Sequence, residues 1–269
     1  MALARADLES LLRARQLDRT LTTVLDARDE TALAPSGVAS LDARLGGGLP
    51  RGHVSEIVGA RSAGRTSLLL HSMAAATARG ELVALVDALD MFDVESAAAA
   101  GVELERILWI RGHVVPNPGF CGDLNQRALE QAIRAFTLVL QAGNFGLVVL
   151  DVAEAPAPAV RRLPFTTWLR LQRMVEGSQT VCLLVGGEPM ARSSAGLTLQ
   201  LGIRDSGLGI RDSGFGIRDS RGSRESGVGV RFGETLFDGV NVDARVVRAR
   251  TRLHEDERIP LMTVAADCA

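Results

Sequence analysis

Lysine and tyrosine are both absent from this chain of 269 residues, so all 30 of its basic side chains are arginines. Only three cysteines are present, far apart and without paired spacing, which argues against a disulfide framework and against a zinc site. The four histidines are also scattered, so no metal site is expected from them. A net charge of −2 provides no overall signature of nucleic-acid binding, so any DNA contact would need a local patch.

Long apolar runs are missing as well. No stretch approaches the roughly 18 residues that a membrane helix needs, and the charged segment at residues 1–16 lacks the apolar core of a signal peptide. We therefore expect a cytoplasmic protein without membrane contact. Hydrophobic residues nevertheless make up 46% of the chain, which is enough for the core of one α/β domain.

The order of patterns along the chain predicts the fold class. Apolar strands such as residues 146–151 and 180–186 alternate with segments of helical periodicity. This alternation is typical of an α/β fold with a doubly wound, mostly parallel sheet. Two later segments, residues 240–252 and 259–266, alternate in polarity like antiparallel strands at the edge of that sheet.

The same pass along the chain predicts its domain organisation. Residues 1–35 are expected to form a short N-terminal helical segment, and residues 36–269 the core domain. Residues 202–230 interrupt the core with near-copies of the unit GIRDSG, which carry few apolar side chains and balanced charges. Such composition is typical of a low-complexity insertion, so we predict a disordered surface loop. Long surface insertions cost little additional loop entropy.

The segment GARSAGRTS, residues 59–67, fits the phosphate-binding P-loop pattern G-x-x-x-x-G-K-[ST] except at one position. Gly59, Gly64 and Thr66 are in register, but Arg65 occupies the place of the lysine. Glycines in such a loop allow backbone N–H groups to surround phosphate oxygens at the start of a helix. The candidate nucleotide-binding residues are Gly59, Ser62, Gly64, Arg65, Thr66, Ser67 and Asp151.

Asp151 belongs to this set because it ends an apolar strand, where a Walker B carboxylate would help to hold Mg²⁺. Thr66 is placed to be a second Mg²⁺ ligand, so ATP with Mg²⁺ is the candidate cofactor. Arg65 keeps the positive charge of a lysine but has a longer stem and a planar fork, and the exchange is not conservative in a tight cradle. We therefore expect a degenerate nucleotide site with weak or absent ATPase activity, and we assign no catalytic residue.

Residues 36–70, SGVASLDARLGGGLPRGHVSEIVGARSAGRTSLLL, resemble the start of the RecA recombinase core. The resemblance covers residues 36–200 and 228–265, through LVDALDMFD, GLVVLD and TVCLLVG to ARVVRARTR. The chain most resembles the RecA-like ImuA group, accessory proteins of bacterial SOS mutagenesis and translesion synthesis. This resemblance implies a RecA-like P-loop fold. It implies as partners a Y-family-like polymerase subunit, an error-prone replicative-type polymerase and RecA itself, with a weak contact to DNA.

Departures from RecA-type ATPases affect the residues of hydrolysis. Leu89, with Asp90 beside it, stands where such proteins carry the glutamate that activates water. Residues 186–188 lack the glutamine that would sense the γ-phosphate, and Arg65 replaces the lysine. The segments that match the two DNA-binding loops of RecA also look short. All of these changes indicate a nucleotide-binding fold in which the apparatus for ATP hydrolysis is degraded.

Arg248 and Arg250 match two basic positions that reach the nucleotide of the neighbouring subunit in RecA filaments. The resemblance makes them candidates for a subunit or partner contact, and the alternative is an exposed edge strand that carries arginines.

The leading hypothesis is an interaction protein of SOS mutagenesis, but two alternatives stay open because a fold does not determine a function. One is a DNA-dependent ATPase or recombinase that uses Arg65 in place of lysine. The other is an SOS cell-division inhibitor-like protein, disfavoured because such proteins are shorter and keep less of the P-loop.

Overall fold

The computed structural model describes residues 32–112, 122–203, 241–249 and 258–262. The N-terminal helical segment predicted for residues 1–35 lies almost entirely outside these ranges. The predicted insertion at residues 202–230, apart from its first two residues, and Arg250 also lie outside them. From Leu33 onward the described residues belong to one unit.

Ten strands are present among the described residues, and they form two sheets. They are β1 (Leu33–Ala34), β2 (Leu49–Pro50), β3 (Val54–Gly59), β4 (Val83–Asp87), β5 (Ile107–Arg111), β6 (Leu147–Asp151), β7 (Val181–Gly186), β8 (Ala195–Ile203), β9 (Asn241–Ala249) and β10 (Arg258–Met262). The first two pair as a small antiparallel sheet. The other eight form one large sheet in the order β10-β9-β8-β3-β7-β6-β4-β5.

The large sheet is mostly parallel. The six adjacent strands β8, β3, β7, β6, β4 and β5 run parallel to one another. At the β8 edge, β9 and β10 add two antiparallel strands. This arrangement confirms the predicted α/β class and the predicted antiparallel edge.

Helices pack on both faces of the sheet. They are α1 (Ala39–Arg44), α2 (Arg65–Ala78), α3 (Val94–Ala99), α4 (Gly122–Ala142), α5 (Ala157–Arg161) and α6 (Phe165–Val175). Two buried clusters result, one that includes Leu41, Leu69 and Met73, and another that includes Phe136 and Leu171. The first three helices and the last three therefore cover opposite faces.

The central strands read as continuous apolar runs because both of their faces are buried. In β4, Val83 and Leu85 join the first cluster, while Ala84 and Val86 join the second. Successive side chains of a strand point to opposite faces, so one strand supplies both cores.

The structure also contains short elements that the sequence did not predict. The small sheet of β1 and β2, and the helices α1 and α5, each contain six residues or fewer. Segments of this length are too short to display a clear hydrophobic period, which explains why they were missed. None of the helices within the described ranges is long and apolar enough to cross a membrane.

Candidate nucleotide-binding site

The glycine loop connects the carboxyl end of β3 to the first turn of α2, as the motif predicts. A Cβ atom at Gly59 would lie 2.6 Å from the carbonyl oxygen of Leu201, so only glycine fits there. Gly64 is the N-cap residue of α2 and has a φ of 87°, in the left-handed region that favours glycine. As a glycine it supplies no side-chain acceptor to the first turn, whose N–H groups and helix dipole suit an anion.

Two residues of the loop segment, Arg61 and Thr66, line a cavity at the carboxyl edge of the sheet. Thr66 and Asp151 both line this cavity, which has a volume of about 390 Å³. Ser62 is exposed and has a φ of 62°, and Ser67 is half-buried in the first turn of α2. A hydroxyl and a carboxylate on one cavity suit Mg²⁺, which prefers oxygen ligands. The glycine frame and this pair therefore fit a phosphate with its metal ion.

Arg65 departs from that arrangement. Its side chain is only 7% exposed, and its guanidinium contacts the loop that follows β6. Nη1 donates to the carbonyl oxygen of Ala153 at 3.1 Å, and Nη2 forms an ion pair with Oε1 of Glu154 at 3.2 Å. Both terminal nitrogens of Arg65 therefore donate to the β6–α5 loop.

Glu154 binds a second arginine of the glycine loop. The Nε of Arg61 donates to its other oxygen, Oε2, at 3.1 Å, and a second nitrogen of Arg61 contacts the same atom. Hydrogen bonding to Glu154, together with its negative charge, raises the pKa of Arg61 above the usual value. One carboxylate thus engages two loop arginines. No local pattern predicts this contact, since Arg65 and Glu154 are 89 residues apart in the sequence.

Two aspartates end neighbouring strands beside the cavity. Asp87 of β4 and Asp151 of β6 are register partners in the parallel ladder. The Asp87 carboxylate accepts from the backbone N–H groups of Met91 at 3.0 Å and Phe92 at 2.8 Å, which fixes the turn after β4. Desolvation raises the pKa of Asp151 to about 6, with the nearby charge of Asp87 acting in the same direction.

The residue at the position of the water-activating glutamate is apolar and buried. Leu89 is 5% exposed and packs in the second core cluster, with one side on the cavity. Both carboxylate oxygens of Asp90 accept from Arg111, each at 2.8 Å, and this ion pair lowers the pKa of Asp90. The guanidinium of Arg111 in turn stacks 4.5 Å from the ring centre of Trp109. Asp90 is therefore held against β5 and does not replace the missing glutamate at the cavity.

A buried carboxylate that sequence reasoning overlooked lies just before the glycine loop. Glu56, in the middle of β3, is fully buried. It accepts from the backbone N–H groups of Met190 at 2.8 Å and Ala191 at 2.7 Å, and from the hydroxyl of Thr198 at 2.8 Å. These bonds attach the loop after β7 to the strand that carries the P-loop. The sequence did contain one indication of this contact, a single acidic residue inside an apolar strand, because a buried carboxylate needs hydrogen-bond donors.

The end of β7 contains the segment where the sensing glutamine was expected. Gly186, Gly187 and Glu188 line a second cavity of about 250 Å³, beside α5. Oε2 of Glu188 accepts from Arg161 at 2.6 Å, an ion pair that joins the end of α5 to the loop after β7.

Of the two arginines predicted to contact a subunit or partner, only Arg248 belongs to the described residues. It lies on β9 opposite Thr198 of β8, and its Nη1 donates to the carbonyl oxygen of Arg192 at 3.1 Å. Arg250 lies outside the described ranges.

No group of three or more His, Cys, Asp or Glu side chains converges as a metal centre within the part of the chain that the structure describes. A Mg²⁺ ion at Thr66 and Asp151 would therefore depend on phosphate oxygens and water for its other ligands. Cys182, also within that part, is a buried free thiol whose pKa is raised by burial.

Comparison with known proteins agrees with this geometry. The family model described as the RecA N-terminal domain matches residues 20–161, which is more than half of the chain. The Protein RecA of Clavibacter michiganensis subsp. michiganensis is 36% identical over 134 residues, 49% of this chain and 33% of the relative. The Protein RecA of Salinispora tropica is 36% identical over 130 residues, 48% of this chain and 33% of the relative.

The match to these relatives is partial. The Protein RecA of Mycobacterium ulcerans is 34% identical over 134 residues, 49% of this chain and 35% of the relative. In each case the aligned region spans about half of this chain and about a third of the relative's length.

Proposed function

The chain belongs to the family of the RecA N-terminal domain, and from this membership we propose that it is a RecA-like accessory protein of SOS mutagenesis, the role of the ImuA group. It acts through protein contacts rather than through a nucleotide-driven cycle. Its partners are a Y-family-like polymerase subunit and an error-prone replicative-type polymerase, with RecA as a further partner and a weak contact to DNA. Its nucleotide site is degenerate, and the protein works in the cytoplasm.

The observation that carries this proposal is that the turn after β4 presents no free carboxylate at the position of the water-activating glutamate. In the resemblance to RecA-type ATPases, Leu89 takes the place of the glutamate that activates the attacking water. The leucine is buried, and the neighbouring Asp90 is bound to Arg111 through both oxygens. General-base catalysis needs a titratable group within hydrogen-bond reach of the water, and a leucine has none.

The change at Arg65 supports the same conclusion. In a P-loop the lysine contacts the β- and γ-phosphates. Arg65 instead donates to Ala153 and Glu154 on the loop after β6. Docking of a partner requires a stable surface and no chemistry, and the doubly wound sheet with its two cores supplies such a surface.

The proposal is tested by deleting the gene and measuring ultraviolet-induced mutation and homologous recombination in the same strains. We expect induced mutation to fall to the level of a strain without translesion synthesis, while recombination stays at the parental level. Complementation with the Thr66→Ala variant should restore induced mutation as well as the wild-type gene does, because Thr66 is an exposed ligand candidate that contact-based function does not need.

Two results would contradict the proposal. One is a loss of recombination with normal induced mutagenesis. The other is failure of Thr66→Ala to complement although the variant accumulates to the wild-type level, because mutagenesis would then require the nucleotide cycle.

A second candidate function is a DNA-dependent ATPase or recombinase. It is favoured by the intact glycine frame and by the presence of Thr66 and Asp151 on one cavity. This alternative predicts rapid ATP turnover that depends on single-stranded DNA, whereas the accessory-protein proposal predicts slow turnover with or without DNA.

A further inference from the structure

The cavity beside the glycine loop has an excess of negative side chains among the described residues. Its charged lining consists of Asp87, Asp93, Asp151, Glu154 and Arg61. A nucleoside triphosphate is a polyanion, and binding sites for such groups ordinarily present cationic side chains and free N–H donors. The lining seen here opposes phosphate unless some of its negative charge is neutralised or moves away.

Three of these four carboxylates are held by their own turns. The two strand-end aspartates and Asp93, the N-cap residue of α3, each accept hydrogen bonds from backbone N–H groups within the next five residues. They cannot leave without breaking the turns that they stabilise. Glu154 differs, because it accepts from the two arginines of the glycine loop and not from its own turn, and its side chain is 21% exposed.

We propose that Glu154 is an internal anion that competes with nucleotide phosphate for Arg61 and Arg65. Each of its two oxygens accepts from a different arginine of the glycine loop. A nucleotide then binds only by displacing Glu154 from both guanidinium groups. The inference rests on the proposed degenerate nucleotide site and assigns the weakness of that site to one residue.

The chemistry of the arginine side chain supports this competition. A guanidinium fork matches carboxylate and phosphate with the same geometry, so the two anions are alternative ligands of one group. Arginine is also longer than the lysine of an ordinary P-loop, and Arg65 reaches the carbonyl oxygen of Ala153 as well as Glu154. Arg61 is 81% exposed and has room to follow a phosphate.

The experiment measures the dissociation constant of ATP with Mg²⁺ by calorimetry on the full chain, for the wild type and for Glu154→Gln. Glutamine keeps the shape of the side chain but removes its charge, so we expect roughly tenfold tighter binding, the equivalent of about 1.4 kcal/mol. The matched control is Glu103→Gln, which removes one partner of an exposed ion pair with Arg106 before β5. The control is expected to bind ATP as the wild type does.

Two further measurements keep the inference testable. Inorganic tripolyphosphate with Mg²⁺ replaces ATP as a probe, and the same tightening is expected because the competition concerns phosphate alone. In the Arg65→Ala background, the gain from Glu154→Gln should shrink to less than about half on a logarithmic scale, because one of the two contested arginines is gone. Thermal unfolding checks that each variant is folded. If Glu154→Gln does not fold, Glu154→Asp replaces it, because the shorter side chain moves the carboxylate away from the two arginines.

Unchanged or weaker binding by the folded Glu154→Gln variant would overturn the inference. Failure of both proteins to bind either probe would overturn it too, since released arginines would then not create an anion site. A failure of the accessory role would appear in the mutation frequency of the deletion strain and would leave this comparison of affinities intact.

Discussion

Glu56 allows the sharpest test of how the loop after β7 is held against β3, the strand that leads into the glycine loop. Its carboxylate is fully buried in β3 and accepts three hydrogen bonds, from Met190, Ala191 and Thr198. In Glu56→Ala the two backbone N–H groups lose their acceptor in the interior. Each buried donor that loses its acceptor costs about 1–3 kcal/mol, so the loss of three hydrogen bonds should cost about 3–5 kcal/mol in total, near the lower end of the sum because the hydroxyl can rotate. A domain is stable by only about 5–15 kcal/mol in total, so the loss is severe.

The expected change is large enough to measure by thermal unfolding followed by circular dichroism. For a chain of this size each kcal/mol corresponds to roughly 2–4 °C, so Glu56→Ala should unfold about 6–20 °C below the wild type. Glu56→Gln should be milder, about 1–2 kcal/mol, because its carbonyl oxygen still accepts from Met190 and Ala191. Its amide nitrogen can donate to the hydroxyl oxygen of Thr198.

Two controls bracket this prediction. Thr198→Val removes one donor and leaves the other two, at an expected cost of about 1–3 kcal/mol. Glu103→Gln changes an exposed ion pair and should stay within about 0.5 kcal/mol of the wild type. The reasoning is refuted if Glu56→Ala is folded and loses less than about 1 kcal/mol, or if Glu56→Gln is as damaging as the alanine variant.

Three further predictions concern catalysis, pH and the core. The purified wild type and Arg65→Lys should both hydrolyse ATP well below about 1 per second with single-stranded DNA, because no base is added by the lysine; turnover within the common enzyme range would contradict this. Because the pKa of Asp151 is raised to about 6 in the folded protein, the folded state retains a proton that the unfolded chain releases near pH 4. The free energy of unfolding of the wild type therefore falls as the pH rises from about 4 to about 6. In urea unfolding, Asp151→Asn should be up to about 3 kcal/mol more stable than the wild type above pH 6 and equally stable below pH 4; a pH-independent difference would refute the assignment. Phe136→Ala should cost about 3–5 kcal/mol, whereas Leu138→Ala, on the same helix but 65% exposed, should change little.

The sequence by itself predicted the fold and the frame of the site. Alternating apolar strands and amphipathic helices are local patterns, and the burial of both faces of β4 and β6 follows from them. The glycine spacing also has a local cause. Gly64 must adopt a positive φ at the start of α2, and Gly59 has no room for a side chain. Backbone requirements of this kind can be predicted from the order of residue types along the sequence.

Only the tertiary structure decided what the charged side chains of that frame contact. Arg65 could have pointed into the phosphate cradle, but Glu154, which is 89 residues away in the chain, binds it instead. Asp90 lies beside the position of the missing base, but Arg111 of β5 donates to both of its carboxylate oxygens. Long charged side chains have many rotamers of similar energy, and the neighbours that select among them come from distant parts of the sequence. Periodicity therefore predicts where a strand ends, whereas the partner of the residue at its end depends on which loops the folded sheet brings together.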